Sequence, residues 1–205
     1  MTTKPRRRPA LERVIATADR LFYEGGLHAT GVDLIAAEAN VSKATLYTYF
    51  HTKDDLVAEY LRGRSGAWRA HVVHELEGRG GDPRARILTV FDLLGEWFTT
   101  DGFRGCPFIN SEAESTPEAP GHRVNLEHRA WVRTLFAGLL AEAGLPSPDR
   151  VAPQLTLLYD GAMSSAQVES DIDWIDAAKR TADAVIDAEL ARSRRTRRRP
   201  PAAGG

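Results

Sequence analysis

The sequence predicts an all-α fold of about nine helices. Apolar residues recur at spacings of three and four along most of the chain, which is the period of a helix with one buried face. Proline and glycine fall where helices open and close, as at Pro9, Pro83 and Pro148 and at Gly25-Gly26 and Gly144. No run alternates apolar and polar residues in the manner of a strand, and no internal repeat is present.

Taken in order, Pro9 pre-sets a first helix whose stripe is Leu11, Val14, Ile15, Ala18, Leu21 and Phe22, ended by Gly25-Gly26. In the second, Thr30 is read as the N-cap, with Asp33 as its capping-box partner. Val32, Ile35, Ala36 and Ala39 share one face of that helix. Asn40 interrupts the pattern and tolerates the left-handed backbone of a tight turn. Ser42 then caps a third, short helix in which Leu46 and Phe50 point inward. Thr52, with Asp55 three residues on, caps a fourth from Lys53 towards Gly78, its middle made uncertain by Gly63 and Gly66.

Asp82 caps and Pro83 opens helix five, with Ile87, Phe91, Leu94 and Phe98 as its buried stripe. A short sixth helix is expected around residues 108–114. The seventh covers 122–143, with Val124, Trp131, Leu135, Leu139 and Leu140 inward. Helix eight starts at Pro148 and carries Val151, Leu155, Leu158, Tyr159, Ala162 and Ala166. Asp173 is read as the cap of helix nine, with Ile175, Ala178, Ala182, Val185, Ile186 and Leu190 on one face.

Residues 30–53 organise the rest. Two short helices joined by a tight turn form a helix-turn-helix, and the second exposes Lys43, Ala44, Thr45, Tyr47, Thr48 and Tyr49. Small, hydroxyl and cationic groups on such a helix suit the major groove of DNA, while tyrosine and lysine also reach phosphate. The candidate DNA-binding residues are therefore Thr30, Ser42, Lys43, Ala44, Thr45, Tyr47, Thr48, Tyr49, His51 and Lys53.

The run resembles the N-terminal domain of the TetR family of transcriptional regulators. Phe22, Gly26, Thr30, Ile35, Ala36, Val41, Ser42, Lys43, Thr45, Leu46, Tyr47, Tyr49, Phe50, Lys53 and Leu56 carry the likeness, over residues 10–62. Asn40 stands where the family usually has glycine, and Gly31 where a second threonine is common. The resemblance implies a homodimer holding two recognition helices about one DNA turn apart on a palindromic operator. It also implies a C-terminal bundle whose small-molecule effector shifts the population away from the DNA-binding conformation, as in a repressor released from its operator. GCPFIN and LLYDGA resemble one branch of such regulators, without fixing the effector.

Composition fits a globular chain: 205 residues, 42% hydrophobic, 27% charged, formal net charge −1. Charge is uneven. Lys4, Arg6, Arg7 and Arg8 precede the first helix, and Arg192, Arg194, Arg195, Arg197, Arg198 and Arg199 close the chain, leaving an acidic body. Cys106 is the one cysteine, so no internal disulfide forms. No apolar run reaches the roughly 18 residues of a bilayer span, and charges spoil any signal-peptide core, so a cytoplasmic location without membrane contact is expected.

The aromatic surplus of the C-terminal part marks a candidate effector pocket between helices five, seven and eight: Trp97, Phe98, Phe108, Trp131, Tyr159 and Met163 as wall, Asn110, His128 and Gln167 as polar handles. Glu112, Glu114 and Glu118 hint at tolerance of a cation, or simply form a solvated loop. Helices eight and nine are the expected dimer interface, through Gly161, Ala162, Ala178 and Ala182. Cys106 is either a small buried hydrophobe or a redox-sensing thiol, the alternative reading of function. His71 and His74 lie one turn apart and read as a solvated face. No catalytic constellation, metal-ligand spacing or cofactor motif occurs, so an enzyme is not expected. The expected division is a DNA-binding domain over 9–52, a ligand-binding and dimerisation domain over 53–192, and disordered basic tails at 1–8 and 193–205.

Overall fold

The computed structural model describes residues 9–198, with side chains through 192. Those residues form nine α-helices and no strand: α1 (Pro9–Gly25), α2 (Val32–Glu38), α3 (Lys43–Tyr49), α4 (Lys53–Arg79), α5 (Pro83–Phe98), α6 (Pro107–Ala113), α7 (Pro120–Glu142), α8 (Pro148–Glu169) and α9 (Asp173–Arg198). They pack as two compact units interleaved along the chain, one from residues 9–70 and 104–128, the other from 71–103 and 129–198. These packing units are cut differently from the functional division expected at 52/53.

In the first unit the core is built from one stripe of each helix. Val14, Ala18 and Phe22 of α1 meet Ile35 and Ala36 of α2, Leu46 of α3 and Leu56, Tyr60 and Leu61 of α4. Phe108 of α6 and Val124 of α7 complete it. Gly121 lets α7 come close to α4, since a Cβ there would stand 3.3 Å from Leu61 Cδ1. The α1–α2 turn needs Gly26 at φ +84°, where its N–H donates to the Phe22 carbonyl.

In the second unit α9 packs on α8 and α5. Ile87, Phe91 and Leu94 of α5, Val132 and Phe136 of α7, Leu155 and Met163 of α8, and Ile175, Ala182 and Ile186 of α9 are its buried layer. Phe136 sits between Phe91 and Tyr159, with centroids 5.8 and 6.2 Å away.

Four expectations change. Thr30 is not the cap of α2; Gly31 occupies that position without a side-chain bond, because the Thr30 hydroxyl is buried and donates to the Leu21 carbonyl at 3.1 Å. Asp173 lies inside α9 as its first residue, and the Asp171 carboxylate accepts its N–H at 2.9 Å. On α7, Val132 and Phe136 are the buried residues, while Trp131 and Leu135 are half-buried at the edge of the stripe, as is Phe98 on α5. Residues 193–198, expected to be disordered, continue α9. Arginine is a good helix former, cations suit the end of a helix, and neither glycine nor proline occurs between Asp173 and Pro200. The expected disorder at 1–8 and 199–205 lies outside the described residues.

Candidate nucleic-acid interface

The helix-turn-helix is fixed by local chemistry. Asn40 takes φ 52°, the left-handed turn conformation expected of it, and the Val41 N–H donates to the Ala36 carbonyl at 3.0 Å. Arg13 reaches over from α1, its Nε donating to the Ala39 carbonyl at 3.0 Å, and so satisfies the end of α2. Ser42 caps α3 by accepting the Thr45 N–H at 3.0 Å. Thr52 and Asp55 form a reciprocal capping box on α4, with both bonds at 3.0 Å. Leu46 and Phe50 anchor α3 in the core.

That anchoring decides which side chains face outward. Lys43, Ala44, Tyr47 and Thr48 of α3 are exposed, and His51 follows them. Ser42 is exposed, but its hydroxyl lies 2.8 Å from that of half-buried Thr45 and serves the cap. Tyr49 is half-buried and packs against the core. Lys53 is also half-buried, and its Nζ donates to the Leu27 carbonyl at 2.5 Å. Thr30, 2% exposed, has to be removed from the DNA-facing set: its hydroxyl is spent inside the unit.

Sequence reasoning missed an ion pair on this face. Lys43 Nζ lies 2.8 Å from Asp33 Oδ1, which crosses from α3 to α2. That hydrogen bond, and the charge behind it, hold the Lys43 ammonium above the ordinary lysine range. Also missed was the clamp from α6. The Glu114 carboxylate accepts the N–H groups of Leu27 and His28 at 3.2 and 2.7 Å. Arg104 donates to the Glu24 carbonyl at 2.8 Å, and the Tyr23 hydroxyl donates to the Gly105 carbonyl at 3.0 Å. Only the 80-residue separations hid these bonds; each donor and acceptor is ordinary.

The nine candidate effector residues divide between the units. Phe108, Asn110 and His128 belong to the first; Trp97, Phe98, Trp131, Tyr159, Met163 and Gln167 to the second. His128 is buried, stacked on Phe108 at 3.6 Å, with Nδ1 3.0 Å from Ser65 Oγ. Burial, helped by the nearby Arg69 charge, pushes its pKa down to about 3, so the ring is neutral at physiological pH. Asn110 donates to the Arg104 carbonyl at 2.8 Å. In the second unit Trp97 and Phe98 meet Phe103 edge-on at 5.5 and 5.1 Å, Tyr159 and Met163 are core residues, and Gln167 is exposed. The acidic run is engaged internally, since Glu112 accepts from Asn125 at 2.6 Å and Glu114 holds the α1–α2 turn. An open cavity of about 240 Å³ in the first unit is lined by Leu27, Lys53, Val57 and Glu114, among others. His71 and His74 are exposed, and Cys106 is buried in the first core.

A family model described as "Bacterial regulatory proteins, tetR family" matches residues 14–60. The crystal structure of a TetR-family transcriptional regulator from Streptomyces coelicolor is 32% identical, covers 88% of this chain and 96% of its own, and superposes with a TM-score of 0.79. The chain belongs to the TetR family of transcriptional regulators. A putative TetR-type regulator from Streptomyces avermitilis is similar too, at 30% identity, 89% and 98% coverage and a TM-score of 0.78. The transcriptional repressor DhaR of a Mycobacterium species is 24% identical over 178 residues, 83% of this chain and 88% of its own.

This TetR-family chain is thus a transcriptional regulator, not an enzyme, with its DNA-binding domain at the N-terminal end. Among the described residues no helix is long and apolar enough to cross a membrane.

Proposed function

We propose that this TetR-family protein is a cytoplasmic, homodimeric repressor that holds a palindromic operator through α3 of each subunit and releases it when a small molecule binds. Residues 9–52 carry the DNA contact, and 53–192 the effector response and dimerisation. The observation that carries the reading is the outer face of α3. Lys43, Ala44, Tyr47 and Thr48 are presented on a helix anchored by Leu46 and Phe50, and the core has no use for them. DhaR, similar over most of its length, is named as a repressor.

Dimerisation is supported by what α8 and α9 leave uncovered. Leu157 and Val168 are 68% and 80% exposed, on the same face of α8 as Gly161. Ala184 and Ala188 are exposed on α9. Ala162, Ala178 and Ala182, expected at this interface, are instead buried inside the protomer. The burial of Cys106 supports a packing role for the thiol over redox sensing.

Duplexes covering the DNA upstream of the gene test the reading by fluorescence anisotropy. The wild type binds a palindrome among them, with affinity falling steeply as salt rises. Tyr47→Ala weakens binding to every duplex and flattens the salt slope by about one, the signature of a lost phosphate contact. Wild-type protein that binds no duplex, or a Tyr47→Ala variant with unchanged affinity, overturns it.

A further inference from the structure

Asp33 and Lys43 join the two helices of the motif by an ion pair that stability does not require. Both side chains are open to water, 80% and 54% exposed, and a pair of that kind contributes little to folding. Its position gives it another use. Lys43 is the first residue of α3, and the opening residues of a recognition helix are the ones that meet base edges.

A lysine is a point charge on a flexible stem, and left alone it settles on the phosphate that is closest. Here one of its three N–H donors is committed to Asp33 at 2.8 Å, which leaves two. The carboxylate also repels phosphate from the place where the ammonium is held. Guanine offers two acceptors in the major groove, O6 and N7, and lysine is among their usual partners.

We propose that Asp33 is a positioning residue for sequence recognition. It holds Lys43 so that the two remaining donors read a guanine edge instead of neutralising a phosphate. This rests on α3 being the recognition helix.

Selection of duplexes from a random library by the full-length protein tests it, together with anisotropy on a random-sequence duplex across a range of salt. Wild type enriches guanine at one position of each half-site, and Lys43→Gln loses that preference. Asp33→Asn loses it as well, yet binds the random duplex about fivefold more tightly, as removal of one nearby negative charge allows. Its salt slope steepens by about one because the freed ammonium now counts as a phosphate contact. Asp33→Glu keeps the guanine. In a Lys43→Gln background Asp33→Asn has no further effect on the selected sequence.

An Asp33→Asn variant that selects the wild-type sequence undiminished overturns the proposal. So does a gain on random DNA that persists in full without Lys43, since that is charge removal alone. A wild type that selects no sequence at all removes the DNA-binding reading itself, which separates the two failures.

Discussion

At the scale of single residues, His128 carries the clearest pH dependence. It is 4% exposed, and its ring is held neutral with a pKa of about 3 because burial penalises the charged form. An unfolded histidine titrates near 6.5, so between about pH 6.5 and 3 the unfolded chain binds a proton that the folded one refuses. By linkage the folded state loses stability as pH falls through that window and loses nothing above it. At pH 4.5 the cost is about 3 kcal/mol, from two units at 1.4 kcal/mol each. Urea midpoints check this: wild type declines from pH 7.5 to 5, while His128→Gln starts lower and declines less. Thr30 and Cys106 belong to the same scale. A hydroxyl before an apolar run reads as a cap in one dimension, but the Leu21 carbonyl that captures it is found only once α1 is in place. Cys106 was open between sensor and filler until its burial was known.

Among the elements, α3 was the most legible. Its cap, its turn and its two anchors all lie within ten residues, so sequence periodicity contains the whole argument. The α8 and α9 faces were less so. Helix periodicity shows that a stripe is apolar, but not which of two stripes the protomer itself consumes. On α9 the Ala178–Ala182 side goes to the protomer core, where Ala182 is fully buried, and the Ala184–Ala188 side is left outward. Substituting Ala182 therefore unfolds the core and reports nothing of assembly. Leu157 is the better probe, since its side chain is largely in water within one protomer. Leu157→Arg places a charge on each copy of a two-fold interface, opposite or close to itself. The variant is expected to elute as a monomer with an unchanged helical spectrum. Because one recognition helix alone forgoes the second half-site, its operator affinity falls by at least about a hundredfold. A Leu157→Arg dimer by light scattering places the interface on another face.

The whole molecule is two interleaved cores threaded by α4 and α7, each of which contributes to both. A linear cut at 52/53 cannot represent such a fold, because segments 104–128 return to pack with the N-terminal helices. The returning segment brings Glu114 and Arg104 to the end of α1 and the turn after it, so the placement of the helix-turn-helix depends on residues far along the chain. Effector control then amounts to a free-energy coupling between DNA and ligand, typically five- to 150-fold in affinity and equal in both directions. Trp97 and Trp131, both half-buried in the second unit, are the natural reporters once Trp68 and Trp174 are replaced by phenylalanine. Apolar or aromatic compounds with one or two polar handles are the compounds to screen. A true effector quenches the paired tryptophans, lowers operator affinity within that range, and is itself bound more weakly by the same factor when operator is present. Trp131→Ala is expected to keep DNA binding and lose the response. If release by such a compound is undiminished after both Trp97 and Trp131 are replaced, the effector site lies away from these aromatics.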